Sequence, residues 1–294
     1  MKTKLINTNF RKDYVDSLLK ARGIENPEDY YNPGREFLQP PTDLENVEQG
    51  ANLLMGALAL DEKILIVVDS DNDGFTSATI MYNYLKDLDP YCNIDYILHE
   101  GKQHGLQDHI KSLTEGGEHY GLIILPDSSS NDYVYHEQLS DLGTSVLVLD
   151  HHITDTELSE KAVVINNQLS PRYKNKELTG AGVVYQFCRY LDLKLGKSFA
   201  DKYMDLAAWG IIGDMGSMLE LENRYIVKEG LIYNSCTSQF LVLVIRRKLI
   251  IDNNSIFAQF SIGNVMVENQ YRSAQILQLL MVNIIITRRV GQDD

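Results

Sequence analysis

The stretch ILIVVDSDNDG (64–74) decides the fold of this chain. It opens with five consecutive apolar residues, most of them β-branched, which is the pattern of a strand buried on both faces. It then runs into aspartates at 69, 71 and 73, followed by Gly74. A strand buried on both faces needs helices on either side of its sheet. The stretch therefore predicts an α/β protein with a cluster of carboxylates at the end of a strand.

Further short apolar runs follow along the chain, separated by segments with helical spacing. Helices are predicted at about 75–88, from Thr179–Gly182 onward, and at about 199–212. Buried strands that alternate with helices predict a parallel sheet with right-handed crossovers. The predicted strands after the first are IDYIL (94–98), LIILP (122–126), SVLVLD (145–150) and AVVIN (162–166).

The chain divides into three predicted parts. Residues 14–60 have helical apolar spacing with a Pro/Asn/Gly break at 32–41. Beyond Asp214 the pattern weakens, and the remaining signals are an apolar run at 240–245 and a helix-like stretch at 273–286. We therefore expect an N-terminal helical segment at 1–50, a catalytic domain at 51–230, and a linker with a partial or degenerate second domain at 231–294.

Composition restricts the function classes. With 294 residues and 44% hydrophobic composition, the chain can bury a sizeable core. Its formal net charge of −14 excludes a protein that coats duplex DNA through a general basic surface. A polyanion must therefore be bound locally, either by metal ions or by a small basic cluster such as residues 246–248. That cluster is more typical of a solvated helix or strand end.

Cysteine use and hydropathy predict a cytoplasmic protein. The three cysteines, Cys92, Cys188 and Cys236, form no CxxC pair and favour neither a disulfide framework nor a zinc knuckle. The N-terminal residues lack the apolar core of a signal peptide. The late apolar stretch 276–286 is interrupted by two amide side chains, so no membrane segment is expected.

Three of the predicted strands end in acidic residues. The run at 64–68 leads to Asp69, Asp71 and Asp73, the run at 122–126 leads to Asp127, and the run at 145–150 ends in Asp150-His151-His152. Ligand sites of open α/β sheets lie beyond the carboxyl ends of the strands, so these side chains are expected to converge on one rim. So many carboxylates in adjacent loops need counter-ions. Carboxylate and imidazole ligands suit manganese, iron or zinc better than calcium, and two such ions about 3.5–4 Å apart can clamp a phosphoryl group.

A calcium loop is the main alternative for the first cluster. The pattern D-x-D-x-D-G at 69–74 matches the opening of an EF-hand. Position twelve of that loop would be Ile80, where a bidentate glutamate is required, and a strand precedes the loop where an EF-hand has a helix. The calcium interpretation is therefore disfavoured.

Structural interpretations remain open for the other candidates. Asp127 has the sequence context of a turn or a helix N-cap ahead of three serines. An isolated histidine is more often a core or surface group than a ligand, although a tandem pair after Asp150 favours ligation. Asp214 follows the apolar segment 206–213, where a bare carboxylate would be costly to bury. It is either the N-cap of a following helix or, as we prefer, a metal ligand.

An ordered set of motifs resembles the DHH phosphoesterase family, and within it the RecJ branch of single-strand-specific exonucleases. Asp-His-His alone is a weak signal, whereas the ordered set is highly specific. The motifs are LLKARGIENPEDYYNP (18–33), VVDSDNDGFTSA (67–78), LPDSSS (125–130), VLDHHIT (148–154), LTGAGVVYQFCRYL (178–191) and DLAAWGIIGDMGSMLELENRYIVKEGL (205–231).

The resemblance implies a parallel-sheet DHH phosphoesterase domain that holds two divalent ions, with Mn²⁺ expected and Mg²⁺ or Co²⁺ as alternatives. Asp127 would bridge the ions, and His152 would contact the scissile phosphate. Substrate contacts are expected from His104 and Gly105, which fall where the family has a Gly-Tyr-Gly-Leu loop, and from Gly180 and Gly182. The implied metal ligands are Asp69, Asp71, Asp73, Asp127, Asp150, His151 and Asp214, and the implied catalytic residues are Asp127, Asp150, His151 and His152.

The function implied by the resemblance is 5′-to-3′ hydrolysis of single-stranded DNA. Residues 235–294 lack the glycine-rich Gly-Gly-His motif of the second domain that helps such enzymes bind the strand. That departure favours a second enzymatic possibility, a phosphodiesterase for short oligonucleotides or cyclic dinucleotides. A third possibility is an inactive member of the family that binds a nucleotide or a partner, although every acidic and histidine position of the expected site is filled.

Overall fold

The computed structural model of the chain describes residues 14–99, 104–154 and 159–233. The predicted helix-like stretch at 273–286, the apolar run at 240–245, the basic cluster at 246–248 and nearly all of the predicted second domain lie outside these residues.

A five-stranded parallel sheet organises the described residues, and its strands are the five that the sequence predicts. The strands are β1 (Ile64–Val68), β2 (Ile94–Leu98), β3 (Leu122–Pro126), β4 (Ser145–Asp150) and β5 (Ala162–Asn166). The strand order is β2-β1-β3-β4-β5, with every neighbouring pair parallel. The three strands that lead to the predicted acidic residues, β1, β3 and β4, are therefore adjacent.

The edge strand β2 differs from its prediction. The run 94–98 was expected to be buried on both faces, but Asp95 is exposed and the other residues of the strand are only partly buried. The difference follows from the strand order, because β2 pairs with β1 alone and leaves its outer edge uncovered. All residues of β1 and β3 are buried, as the sequence predicts.

Nine α-helices accompany the sheet among the described residues. The predicted helix at 75–88 begins earlier, at Asn72, because the Asp71 side chain caps it by accepting a hydrogen bond from the Gly74 amide at 2.9 Å. The predicted helix at 199–212 is a 3₁₀ turn, Ala200–Tyr203, followed by an α-helix, Met204–Gly213. The helices are α1 (Tyr14–Ala21), α2 (Pro27–Tyr31), α3 (Val47–Ala59), α4 (Asn72–Leu88), α5 (Ile110–Glu115), α6 (Tyr133–Asp141), α7 (Gly180–Leu195), α8 (Met204–Gly213) and α9 (Leu221–Tyr233).

Alternate residues of β1 point into two separate cores. Ile64, Ile66 and Val68 pack with α3, α4, α7 and α8 in the larger core, while Leu65 and Val67 lie in a smaller core with residues of α5 and α6. This is the helix-covered sheet that continuous apolar strands require. No helix in the described part of the chain is long and apolar enough to cross a membrane.

The N-terminal described residues pack against α9, the last described helix. The buried Glu222 of α9 accepts hydrogen bonds from the Gln39 amide at 2.9 Å and from the Tyr173 hydroxyl at 2.8 Å. The Arg224 guanidinium stacks over the Tyr30 ring, 3.5 Å from its centroid. These contacts fix α9 on the body of the protein, and α9 in turn packs on α8.

A candidate metal centre at the carboxyl ends of the strands

Three buried carboxylates mark the centre of the rim. Asp69 follows β1, Asp127 follows β3, and Asp150 is the last residue of β4. Each is at most 1% exposed. Buried carboxylates are rare unless they are paired with a cation, so this convergence requires compensation.

Asp73 receives part of its compensation from the start of α7. Its carboxylate accepts hydrogen bonds from the Gly180 amide at 2.6 Å, the Ala181 amide at 3.1 Å and the Thr179 hydroxyl at 3.0 Å. The amino end of a helix favours a negative charge because its first amide groups have no partner within the helix. Burial nevertheless raises the pKa of Asp73 above its ordinary value, since these donors offset only part of the desolvation.

Asp127 is buried on a strained turn after β3. Its backbone has a positive φ of 66°, in the left-handed region that non-glycine residues seldom adopt. Its Oδ1 atom has no hydrogen-bond partner, although it lies 3.1 Å from His151 Nε2. Burial, followed by the charge of Asp73, raises the pKa of Asp127 well above its usual range. Asp127 is not a helix N-cap, because α6 begins six residues later at Tyr133.

His151 faces three carboxylates with one nitrogen. Its Nε2 atom lies 3.1 Å from Asp127 Oδ1, 3.7 Å from Asp214 Oδ2 and 3.8 Å from Asp73 Oδ2. Ligand atoms of Asp73, His151 and Asp214 all lie within 4.8 Å of one another. The structure thus brings these three predicted ligands together around one point.

Asp214 reaches this point from the carboxyl end of α8. It is the C-cap of α8, and α9 begins only at Leu221, so the helix N-cap alternative is wrong. Burial and the charge of Asp73 raise the pKa of Asp214 to about 6. Glycine at 210 allows α8 to approach the centre, because a Cβ atom there would collide with the Asp73 carboxylate and lie 2.8 Å from Thr76 Oγ1.

Asp150 organises the histidine pair. It accepts hydrogen bonds from the His151 amide at 2.7 Å, the Ser130 amide at 3.0 Å and the His152 Nδ1 atom at 2.7 Å. Burial alone would raise the pKa of the Asp150 carboxyl, but the hydrogen bond with His152 and the other donors hold it below its ordinary value. The same hydrogen bond raises the pKa of His152 to about 9.

A network behind the histidines holds this arrangement. Asn166 ends β5 beside Asp150 and is fully buried. Its side-chain amide donates to the His152 carbonyl at 2.9 Å and to the Ser130 hydroxyl at 3.0 Å. The amide therefore joins the loop after β3 to the loop after β4.

The His104 side chain forms a hydrogen bond with the Asp69 carboxylate. The two side chains approach at 2.6 Å between Nδ1 and Oδ2, and the hydrogen bond to Asp69 raises the pKa of His104. Ligand atoms of Asp69, Asp71 and His104 all lie within 4.8 Å of one another. The expected loop histidine is therefore part of the carboxylate cluster.

The expected glycines differ in their surroundings. Gly105 has a φ of +73° and is close to Asp132 and Ser129, so the loop there needs glycine. A Cβ atom at Gly180 would lie 2.6 Å from Asp127 Cγ, whereas one at Gly182 would lie 2.6 Å from Leu178 Cγ in the core. Gly180 thus belongs to the carboxylate cluster, and the neighbours of Gly182 belong to the packing of α7.

The residue types suit divalent cations. Three groups of side chains have ligand atoms within 4.8 Å of one another: Asp69 with Asp71 and His104, Asp73 with His151 and Asp214, and Asp127 with Asp150, His151 and His152. The charges of Asp69, Asp71 and Asp73 all act on Asp127. Asp69 Oδ1 and Asp127 Oδ1 are buried without a hydrogen-bond partner. Orphaned carboxylate oxygens beside imidazole nitrogens are the donors that Mn²⁺, Co²⁺ or Zn²⁺ would satisfy.

Three groups that support the site are not predicted from the sequence. The amide groups of α7, the Asn166 side chain and the Ser130 amide all bind site carboxylates or the histidine loop. The Thr179-Gly180-Ala181-Gly182 helix start was visible in the sequence, but nothing there indicates that it meets Asp73. Asn166 could have been identified as a strand-end residue in register with Asp150.

Comparisons with known proteins agree with this fold. The model of the DHH family, N-terminal domain, matches residues 63–211. A Bacillus subtilis protein provisionally named an SPbeta prophage-derived single-strand DNA-specific exonuclease, YorK, is 40% identical over 232 residues, which cover 79% of this chain and 39% of that protein. The single-stranded-DNA-specific exonuclease RecJ of Bacillus subtilis is 30% identical over 225 residues, covering 74% of this chain and 27% of RecJ.

A solved structure shows the same relationship. The crystal structure of RecJ from Thermus thermophilus in complex with Mn²⁺ superposes with a TM-score of 0.61 and 29% identity, over 73% of this chain and 30% of that one. The chain therefore spans well under half the length of these relatives. The match of the family model and the shared fold confirm the resemblance carried by the motifs, and the chain belongs to the DHH family.

Proposed function

We propose that this chain is a metal-dependent phosphodiesterase and, more specifically, a 5′-to-3′ exonuclease for single-stranded DNA. The observation that carries the proposal is the environment of Asp127. Its buried Oδ1 atom has no hydrogen-bond partner, ligand atoms of His151 and His152 lie within 4.8 Å of one of its own, and the charges of Asp69, Asp71 and Asp73 all act on it. A carboxylate in this position is suited to bridge two cations.

The residues present fit a two-ion centre. Asp73, His151 and Asp214 would hold one ion, Asp69 and Asp71 would hold the other, and Asp127 would contact both. Bound divalent ions would lower the pKa of a water molecule and neutralise the charge on the phosphate oxygens. Manganese is the proposed ion, and Mg²⁺ and Co²⁺ remain alternatives.

His152 is proposed to bind the scissile phosphate. Its Nδ1 atom is engaged by Asp150, which leaves Nε2 to face the substrate, and more than half of the side chain is exposed. The hydrogen bond to Asp150 raises its pKa to about 9, which favours a protonated ring with a proton on Nε2. That proton can be donated to a phosphate oxygen as negative charge develops there. Asp150 orients the ring and stabilises its charge.

The single-strand preference and the polarity rest on the relatives. The matched proteins are named single-strand DNA-specific exonucleases, and this chain shares only part of their length. A role in DNA repair or recombination would follow from that activity. The division into a helical segment at 1–50, a catalytic domain at 51–230 and a second region at 231–294 likewise stays a proposal.

A phosphodiesterase for short oligonucleotides or cyclic dinucleotides is the second candidate. The observation that favours it is the charge, because the formal net charge of the chain is −14. Within residues 14–99, 104–154 and 159–233, the side chains that pair with the carboxylates of the site are histidines. Few phosphate contacts predict a weak grip on long strands and a shallow dependence of binding on salt.

One substrate panel separates the candidates. Purified protein with Mn²⁺ is offered 5′-labelled and 3′-labelled single strands from two to about sixty nucleotides, together with a cyclic dinucleotide, at two salt concentrations. Processive, salt-sensitive removal of nucleotides from the 5′ end supports the exonuclease. Faster hydrolysis of the shortest substrates, with little effect of salt, supports the second candidate. No turnover of any substrate contradicts both and leaves an inactive binding protein.

A further inference from the structure

The loop after β2 delivers an imidazole to the carboxylate cluster. His104 Nδ1 lies 2.6 Å from Asp69 Oδ2, and ligand atoms of Asp69, Asp71 and His104 lie within 4.8 Å of one another. An imidazole nitrogen beside carboxylates is a suitable ligand for manganese or zinc.

Asp69 has a buried oxygen atom that a cation would satisfy. The residue is fully buried, and its Oδ1 atom has no hydrogen-bond partner. The nearby His99 Nε2 atom is 3.9 Å from Oδ1, which is beyond hydrogen-bond distance. His104 contacts the other oxygen, so only one of the two oxygens of this buried carboxylate has a hydrogen-bond partner. A buried carboxylate oxygen without a hydrogen bond is costly, and a bound cation would satisfy it.

The fold holds His104 in this place. The Leu106 amide donates to Asp132 Oδ2 at 2.8 Å, and the Leu106 side chain is buried in the smaller core. Gly105, which joins His104 to Leu106, has a φ of +73°, and a Cβ atom there would lie 2.5 Å from Asp132 Oδ2. The imidazole is therefore preorganised beside Asp69 by a constrained loop, as a ligand of a rigid site must be.

We propose that His104 is a direct ligand of one of the two ions, together with Asp69 and Asp71. The proposal rests on the two-ion centre of the proposed function and extends it. Each ion would then have two terminal carboxylates and one imidazole: Asp69, Asp71 and His104 on one side, and Asp73, His151 and Asp214 on the other. Because imidazole favours manganese, cobalt and zinc over magnesium, both sites would discriminate against Mg²⁺.

Metal binding by the full chain tests this assignment without any measurement of activity. Metal-free protein is titrated with Mn²⁺, and free Mn²⁺ is followed by its electron paramagnetic resonance signal. The variant is His104→Gln, whose amide can still donate a hydrogen bond to Asp69 but is a poor ligand for Mn²⁺. The matched control is His119→Gln, which removes an exposed histidine at the opposite end of β3. Circular dichroism checks that each variant is folded.

The expected result is two bound ions in the wild type and in His119→Gln, and a selective loss in His104→Gln. One ion should bind the variant with unchanged affinity, while the affinity of the second falls at least about 10-fold to 100-fold, the range found when even an outer partner of a ligand is removed. Nitrogen couplings in pulsed resonance spectra of the wild type should also lose the contribution of one imidazole in His104→Gln.

Two outcomes overturn the assignment, and they differ from each other. If the wild type and His104→Gln both bind two ions with equal affinity, His104 only orients Asp69 or contacts phosphate, and the proposed function is untouched. If the wild type binds no Mn²⁺, the two-ion centre itself is wrong, and the proposed function fails together with this inference.

Discussion

A single methyl group at Gly180 should disable the site, whereas the same change two residues later should not. In Gly180→Ala the new Cβ atom would lie 2.6 Å from Asp127 Cγ, and in Gly182→Ala it would lie 2.6 Å from Leu178 Cγ. Ordinary contact begins near 3.4 Å, so in each case the neighbouring group must move by roughly 0.8 Å. Both glycines are in the first turn of α7 and neither has a positive φ, so the two substitutions differ mainly in what they displace.

The two variants should lose similar stability and very different activity. Overpacking costs about 1–3 kcal/mol, and alanine returns up to about 1 kcal/mol of helix propensity. A displacement of roughly 1 Å at a reacting centre costs about 10²-fold in rate. We therefore expect Gly180→Ala to lose about 10²-fold in kcat and to bind Mn²⁺ more weakly, while Gly182→Ala stays within about 10-fold of the wild type.

The assay combines urea denaturation, Mn²⁺ titration and hydrolysis of a labelled oligonucleotide. Wild-type turnover and wild-type Mn²⁺ affinity in a folded Gly180→Ala protein would refute the placement of Asp127 at the centre of the site. Equal loss of activity in folded Gly182→Ala would show that both glycines serve the substrate directly, as the family resemblance implies.

The same geometry predicts the effects of two further substitutions and of pH. Asp127→Ala should reduce turnover at least as much as Asp71→Ala, and by more than the factor of about 10²–10³ that one electrostatic contact contributes, because Asp127 is the proposed contact of both ions. Steady-state rates of the two folded variants measure this. Asn166→Asp removes the amide group that donates a hydrogen bond to the His152 carbonyl. The variant should lower kcat by up to about 10²-fold and leave the affinity for Mn²⁺ unchanged. Weakened Mn²⁺ binding would contradict a purely orienting role of Asn166. The pKa of Asp214 is raised to about 6, so below that pH the metal-free protein carries a proton on Asp214 that Mn²⁺ must displace. The affinity for Mn²⁺ should therefore fall as the pH is lowered from 7 through 6. Calorimetry at several pH values measures this, and an affinity that does not change with pH would contradict it.

Much of the sheet could be predicted because its strands are buried on both faces. A continuous apolar run such as 122–126 has few other possible structures, and the rule that parallel strands place their carboxyl ends together gathers Asp69, Asp127 and Asp150 before any coordinates are known. The edge position of β2 was harder to predict. The exposed Asp95 within the run 94–98 was the available sign, since a charge rarely occupies a central strand.

The supporting contacts of the site could not be predicted, because they join residues far apart in sequence. The Gly180 amide and Asp73 are 107 positions apart, and nothing in either motif specifies that the start of α7 meets the start of α4. The approach of His104 to Asp69 is an intermediate case. The pairing of β2 with β1 brings the following loop to the same rim, but the direction of the imidazole depends on the Gly105 turn and its contact with Asp132.

The dependence of hydrolysis on metal tests the central claim most directly. Protein stripped with a chelator is incubated with a labelled single-stranded oligonucleotide, with and without added Mn²⁺, beside Asp127→Ala as the matched inactive control. The account predicts no hydrolysis by the stripped protein, recovery on addition of Mn²⁺, and no recovery in the variant. Undiminished hydrolysis in excess chelator, with no metal detected by elemental analysis, would contradict it.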